Sequence, residues 1–272
     1  MRGRGANQPS AAAPHSSSLL ASSSPVTDNN SSTAQPSPPA YLAQIRFDVL
    51  QVRAPKGLFS ESDKVWSHLD GEVIPATTAT LLQRNGLRVA RGKLEAWRPI
   101  KALLDAEPRI QTLRSALTMN NGLPFRLELH AEPRDQLFFL YRQDGTLGGA
   151  PFPASINVLR IEYRIPLDDA NALEVEVMPE LQPQRGRSRG AISPEAWLTE
   201  APFPPARVVR ELAFRIVLHQ EEFVAIGPSP AAHEIPYLAG SLLLCQELDG
   251  QRYESVFFVT PRLLQPGTAR GS

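Results

Sequence analysis

An α+β chain is predicted, on three observations. The first 40 residues differ in composition from everything after them: Ser, Pro and Ala supply 23 of Met1–Ala40. Helix signals are confined to residues 41–113. From residue 114 onward the pattern is almost purely that of strands, mostly apolar–polar alternation of period two, resumed after a long connection and continuing towards residue 264. The expected organisation is a disordered tail over 1–40, a small α/β unit over 41–113, and a β-rich antiparallel domain over 114–266. A Pro- and Arg-rich loop is expected over 179–206.

The tail carries few large apolar residues (Met1, Leu19, Leu20 and Val26), too few to offset the entropy of ordering. Ala43, Ile45, Phe47 and Val49 then alternate with Gln44, Arg46 and Asp48, which predicts a strand ended by Ala54-Pro55-Lys56-Gly57. Ser60 or Ser62 is placed to cap a first helix burying Val65, Trp66 and Leu69. Pro75 suits the first turn of a second helix that buries Leu81 and Leu82, with Asn85-Gly86 as its left-handed stop. Leu87–Ala90 reads as a short strand. Trp97, Ile100 and Leu104 share one face of a third helix, with Pro99 near its start.

In the β-rich part, strands are expected around Phe125 and Leu127, and over Gln136–Tyr141 before the turn Gln143-Asp144-Gly145. Leu159–Ile165 and Leu173–Val177 flank the turn Asp168-Asp169-Ala170-Asn171, which predicts an antiparallel hairpin. Its second face is charged (Arg160, Glu162, Arg164, Glu174, Glu176). Leu212–Leu218 and Phe223–Ile226 continue the pattern, and the final strand Tyr253–Val259 is expected to stop at Pro261, because proline has no N–H for a ladder.

Composition removes several functions. With 28 basic and 28 acidic residues the formal net charge is zero, against nucleic-acid binding as the main role. Arg185–Arg189 reads as a solvated loop. Cys245 is the single cysteine, so it has neither a disulfide partner in the chain nor a metal-site spacing. No window reaches the ~18–20 apolar residues of a membrane helix. Arg2 and Arg4 precede only the short patch Leu19-Leu20-Ala21, below the ~7–15 residues of a secretory core. His15, His68, His130, His219 and His233 show no paired-ligand spacing and read as surface or partly packed. Asp168 and Asp169 are accounted for by their turn, and Glu221 and Glu222 read as solvated. Trp66 and Trp97 read as core. No catalytic residue, cofactor or metal site is expected.

The order of several short motifs resembles the C-terminal domain of type II and type III secretion secretins, over about residues 114–264. Thr118–Gly122 followed by Phe125-Arg126-Leu127 is similar to its opening piece. The hairpin closing on Met178-Pro179-Glu180, the strand Glu221–Gly227 with Pro228 after it, and Ile235-Pro236-Tyr237-Leu238-Ala239-Gly240 follow in the family's order, and the chain reaches Thr260-Pro261-Arg262 at its last strand. The motif positions are thus Gly227, Pro228, Ile235, Pro236, Gly240, Thr260, Pro261 and Arg262, in structural roles. Two features depart from the pattern: Ser241-Leu242-Leu243 replaces the second Ile-Pro step, and the glycine pair is reduced to Gly227-Pro228. Residues 41–113 also resemble an uncharacterised module of envelope proteins. The resemblance implies a non-enzymatic assembly or accessory protein of the cell envelope, in periplasm or outer membrane. Its partners would be copies of itself or other secretion and envelope proteins; the absence of a convincing signal leaves the cytoplasm open. The alternative is a monomeric β-sandwich module recognising a protein or glycan through loops such as 179–206.

Overall fold

The computed structural model describes residues 44–130, 132–183 and 206–264. The tail expected over 1–40 and residues 184–205 of the expected Pro- and Arg-rich loop lie outside the described residues. In chain order the strands are β1 (Gln44–Pro55), β2 (Leu87–Lys93), β3 (Gln111–Asn120), β4 (Phe125–Glu128), β5 (Arg134–Tyr141), β6 (Leu147–Arg164), β7 (Ala172–Pro183), β8 (Arg207–Val208), β9 (Phe214–His219), β10 (Glu222–Pro228), β11 (Cys245–Leu248) and β12 (Gln251–Leu264). Four short α-helices accompany them among the described residues: α1 (Ala76–Arg84), α2 (Trp97–Asp105), α3 (Ala231–Glu234) and α4 (Ala239–Leu244). The protein is β-rich and antiparallel with few helices, as the alternation predicts.

Two sheets form. One runs β2-β10-β12-β1-β3, with β11 beside β12; the other runs β4-β6-β7-β8, with β5 on β6 and β9 on β7. They meet face to face because each strand alternates. Ile45, Phe47 and Val49 of β1 and Phe257 and Val259 of β12 pack against Phe125, Leu159, Ile161, Tyr163, Val175 and Ile216 of the second sheet. The Phe47 ring lies 4.7 Å from that of Phe125 and 4.8 Å from that of Tyr163. On the first sheet's other face a smaller core collects Val52, Ala225, Val256 and Phe258 under Phe59, Trp66, Ile100 and Leu104. Burying a large apolar side chain contributes about 1.5–3 kcal/mol, so the shared layer between the sheets dominates.

The hairpin predicted around Asp168–Asn171 is present, pairing Arg164 with Glu174 through to Ser155 with Pro183. The Asn171 N–H donates to Asp169 Oδ1 at 2.9 Å, the local bond that makes an Asx turn. The helix over 76–84 also matches: Leu81 and Leu82 are buried, and Gly86 at φ +81° lets the chain leave it.

Four expectations change. No helix follows Ser60 or Ser62; a turn and a single 3-10 turn at Trp66–His68 stand there, and Ser60 spends its hydroxyl elsewhere in the protein. β12 does not stop at Pro261: it stays paired to β1 as far as Leu264 against Gln44. The missing N–H is tolerated because β10 pairs with β12 only as far as Val259, so Pro261 has a strand on one side alone. The hairpin's second strand likewise runs beyond Met178-Pro179-Glu180 to Pro183. Last, without that first helix the described part of the α/β unit runs strand–helix–strand–helix, and its strands make no sheet of their own. β1 lies between β12 and β3, and β2 pairs with β10, so the described residues of the two expected domains share one sheet.

Candidate functional site

The motif positions fall in three places. Gly227 and Pro228 end β10 opposite Arg88 and Leu87. A Cβ on Gly227 would lie 2.7 Å from Val256 Cγ2 and 2.9 Å from the Trp66 ring, so only glycine lets the indole lie on the strand. Ile235 and Pro236 join α3 to α4; the Leu238 N–H donates to Ile235 O at 3.1 Å, and the Phe139 N–H on β5 donates to Tyr237 O at 2.9 Å. Gly240 packs on the end of α1: its N–H donates to Asn85 O at 2.7 Å, and a Cβ there would meet Gly86 O at 2.2 Å. Asn85 itself is buried and binds β5 as a neighbouring strand would. Its Nδ2 donates to Tyr141 O at 2.9 Å, and its Oδ1 accepts from the Tyr141 N–H at 2.7 Å. Gly227 and Gly240 therefore permit close backbone packing. Thr260 and Arg262 stand apart from them, at the mouth of two surface clefts.

One cleft, about 390 Å³, opens where the two sheets part and is bordered by Leu173, Leu218, Glu221, Pro261 and Arg262. The other, about 490 Å³, lies on the first sheet beside α2, with Leu50, Trp97 and Phe258 as its apolar side and Arg46, Arg114 and Arg262 as its charged side. Thr260, Arg262 and Leu94 line both. Asp48 Oδ1 sits 2.8 Å from Arg46 Nε and its Oδ2 3.0 Å from Arg262 Nε, so one carboxylate holds two guanidinium groups in place.

The interior carries polar groups that the sequence reading left out. Glu254 on β12 is fully buried. It accepts hydrogen bonds from the N–H groups of Phe59 and Ser60, from Ser60 Oγ at 2.6 Å, and from His233 Nε2 at 2.8 Å. Burial alone would raise its pKa; the bonds from His233, Ser60 and Phe59 outweigh that and hold the carboxyl below the usual glutamate value. A nucleophilic serine needs imidazole next to its hydroxyl with the carboxylate behind it. Here the carboxylate stands between Ser60 and His233, so the cluster ties the loop after β1 and the helix α3 to β12.

A second polar cluster closes α4. The Leu242 carbonyl accepts from an Arg134 guanidinium nitrogen and from Asn157 Nδ2 at 3.0 Å, with His130 Nε2 also 3.0 Å away. Cationic and amide donors suit the free carbonyls at a helix's C-terminal end. Burial, with Arg134 adding to it, pushes His130 down to about 4. Burial pushes the Cys245 thiol up to about 12, in keeping with an inert packed cysteine. Glu222, read as solvated, is buried: its Oε2 accepts from the His219 N–H at 2.9 Å and lies 3.7 Å from Arg91. His130 and His233 are half-buried, within the reading of surface or partly packed, although the His233 side chain itself is enclosed against Glu254. Among the described residues no group of three or more His, Cys, Asp or Glu side chains is placed to hold a metal.

Two surface features complete the arrangement. On the outer face of the β6–β7–β9 ribbon, Arg164 meets Glu174 at 2.6 Å, and Arg215 reaches Glu174 at 3.0 Å and Glu176 at 3.3 Å. β3, at the end of the first sheet, pairs with β1 from Gln111 to Asn120 and has no strand on its other side among the described residues. It is exposed along most of its length, and Leu113 is 65% exposed. No helix among the described residues is long and apolar enough to cross a membrane.

No protein-family model matches the chain, and no curated protein does. Among solved structures, ExeD of Aeromonas hydrophila is similar at 11% identity and a TM-score of 0.26, covering 82% of this chain and 49% of that one, so the chain spans about half of it. GspD, a type II secretin of enteropathogenic Escherichia coli, is similar at 12% identity and a TM-score of 0.25, over 84% of this chain and 71% of that chain. The secretin-domain β-barrel of InvG from the Salmonella SPI-1 injectisome is similar at 8% identity and a TM-score of 0.21, over 85% of this chain and 65% of that chain. Scores this low establish no shared topology.

Proposed function

We propose that this chain is a non-enzymatic, secretin-like assembly or accessory component of the cell envelope, which works by pairing strand edges with other chains. The observation that carries this reading is β3: ten residues hydrogen-bonded on one side and exposed along most of their length. An edge of that length offers unpaired N–H and C=O groups to any strand that approaches, and isolated proteins normally blunt such edges. The motif order from Gly227 to Arg262 supports the family half of the proposal. Those positions act through backbone packing and strand pairing, with no reactive group among them. The charged ladder of Arg164, Glu174, Glu176 and Arg215 suits a wall facing water, since a lipid-facing strand needs an apolar outer face over ~9–11 residues.

A second reading, a monomeric β-sandwich binding module, is favoured by one observation. The two sheets bury a common core within a single chain. Light scattering on the purified protein separates the two. Edge pairing between copies gives a species of several subunits whose mass falls on dilution. A clean monomer at high micromolar concentration overturns self-assembly and leaves the binding module.

A further inference from the structure

The cleft on the first sheet runs onto the open edge of β3, because Arg114, Ser115 and Ala116 line it. We infer that this edge receives an extended acidic segment of a different protein, added as a further strand beside β3 with its carboxylates facing Arg114, Arg46 and Arg262. The inference deepens the edge-pairing role proposed above, and rests on it, by naming the partner's chemistry.

The pairing registers put the charged groups on one face. β1 sets Arg46 opposite both Thr118 and Arg262, Asp48 opposite both Ala116 and Thr260, and Leu50 opposite both Arg114 and Phe258. Residues directly opposite in an antiparallel pair point the same way, about 5 Å apart at Cβ. A strand laid on β3 would therefore set every second side chain beside Arg114, Ala116 and Thr118. Three arginines face one aspartate there, and Asp48 engages both Arg46 and Arg262. One carboxylate is thus shared between two guanidinium groups, and Arg114 has no carboxylate partner among the described residues. Planar guanidinium groups held in this way are suited to paired recognition of carboxylates. On the opposite face β3 offers exposed Leu113 and half-buried Leu117 and Met119. The fitting strand alternates acidic with apolar residues over about ten positions, as cross-strand pairing on both faces requires.

The chain does not supply such a strand itself. Its residues outside the described ranges contain Asp28, Glu195 and Glu200 as their acids, with no alternation. Its own alternating run Leu173-Glu174-Val175-Glu176-Val177 is paired on both sides, to β6 and β9. A second folded copy has the same run equally occupied, which leaves a foreign protein as the partner.

The test is fluorescence anisotropy of the full chain with a labelled ten-residue peptide alternating Glu with Val, and with a control alternating Lys with Val. The Glu–Val peptide is expected to bind saturably and to weaken about tenfold between 50 and 300 mM salt, as screened charge pairs do. The Lys–Val peptide should bind at least about tenfold more weakly, because like charges would face each other. Arg114→Glu should reduce Glu–Val affinity about tenfold with unchanged circular dichroism and melting, since Arg114 is exposed, and Arg114→Gln should fall between. Equal binding of both peptides, no effect of Arg114→Glu, or displacement by millimolar inorganic phosphate would overturn the inference. Light scattering on the same samples keeps the two proposals apart. Assembly without peptide binding defeats the inference alone, whereas peptide binding by a monomer upholds it and defeats self-assembly alone.

Discussion

Glu254 shows how much of this interior depends on one side chain. Its carboxylate joins residues 194 and 21 positions away, Ser60 and His233, to β12 through charge-assisted hydrogen bonds. Removing the charge leaves amide and hydroxyl donors buried against a weaker acceptor, so Glu254→Gln is expected to cost about 2–4 kcal/mol in urea unfolding at neutral pH. The pH profile carries two signatures. Burial lowers His130 from 6.5 to about 4, so the unfolded chain takes up the proton first, and stability falls as pH drops between those values. Glu254 is lowered from its ordinary value, so its contribution is full above the unfolded pKa of 4.5 and is lost as pH falls through the folded one. His130→Gln should flatten the upper window alone and Glu254→Gln the lower one alone; a profile unchanged in either variant refutes the corresponding assignment. Neither group was legible in the sequence. A buried polar cluster has no local period, and its members meet only when β12 closes onto the loop after β1.

Strands were the most legible elements, because burial on one face imposes a period of two wherever a strand is laid on a core. β6 and β7 show this most clearly: Leu159, Ile161, Tyr163, Leu173, Val175 and Val177 are all buried. Strand ends were less legible, since Pro261 halts a ladder only where it has a neighbour on both sides. α4 was missed for a different reason: six residues span less than two turns, too few for a helical stripe to show. Gly240, singled out as a motif position, sits in α4 with no room between it and the backbone of Gly86. Gly240→Ala places a methyl group against a carbonyl that cannot rotate away. It should break the Gly240 N–H bond to Asn85 and lower stability by about 2 kcal/mol or more, read as an earlier thermal transition. An alanine variant melting with the wild type would mean that α4 shifts freely, contrary to its three-sided capping by Arg134, His130 and Asn157.

At the scale of the molecule, the decisive fact is that the early and late parts of the chain complete each other's sheet. β1 has β12 on one side over its whole length and β3 on the other, so the N-terminal strand is central and the first and last described strands are partners. Local patterning located both strands, though not the end of β12, but could not reveal that they pair, because register between segments about two hundred residues apart leaves no mark on either. Folding consequently waits for the slowest closure, and the parts have little stability alone. Residues 44–113 without β10 and β12 would expose Ile45, Phe47, Val52 and Val89, and residues 114–264 would leave Val224, Phe257 and Val259 uncovered. Cutting the chain between residues 113 and 114 should therefore give two fragments, each lacking dispersed amide resonances. Mixed, they should recover the dispersed spectrum of the intact protein and unfold in one transition. A fragment covering 44–113 that folds alone would show that the α/β unit carries its own core and that the shared sheet is only a docking of finished parts.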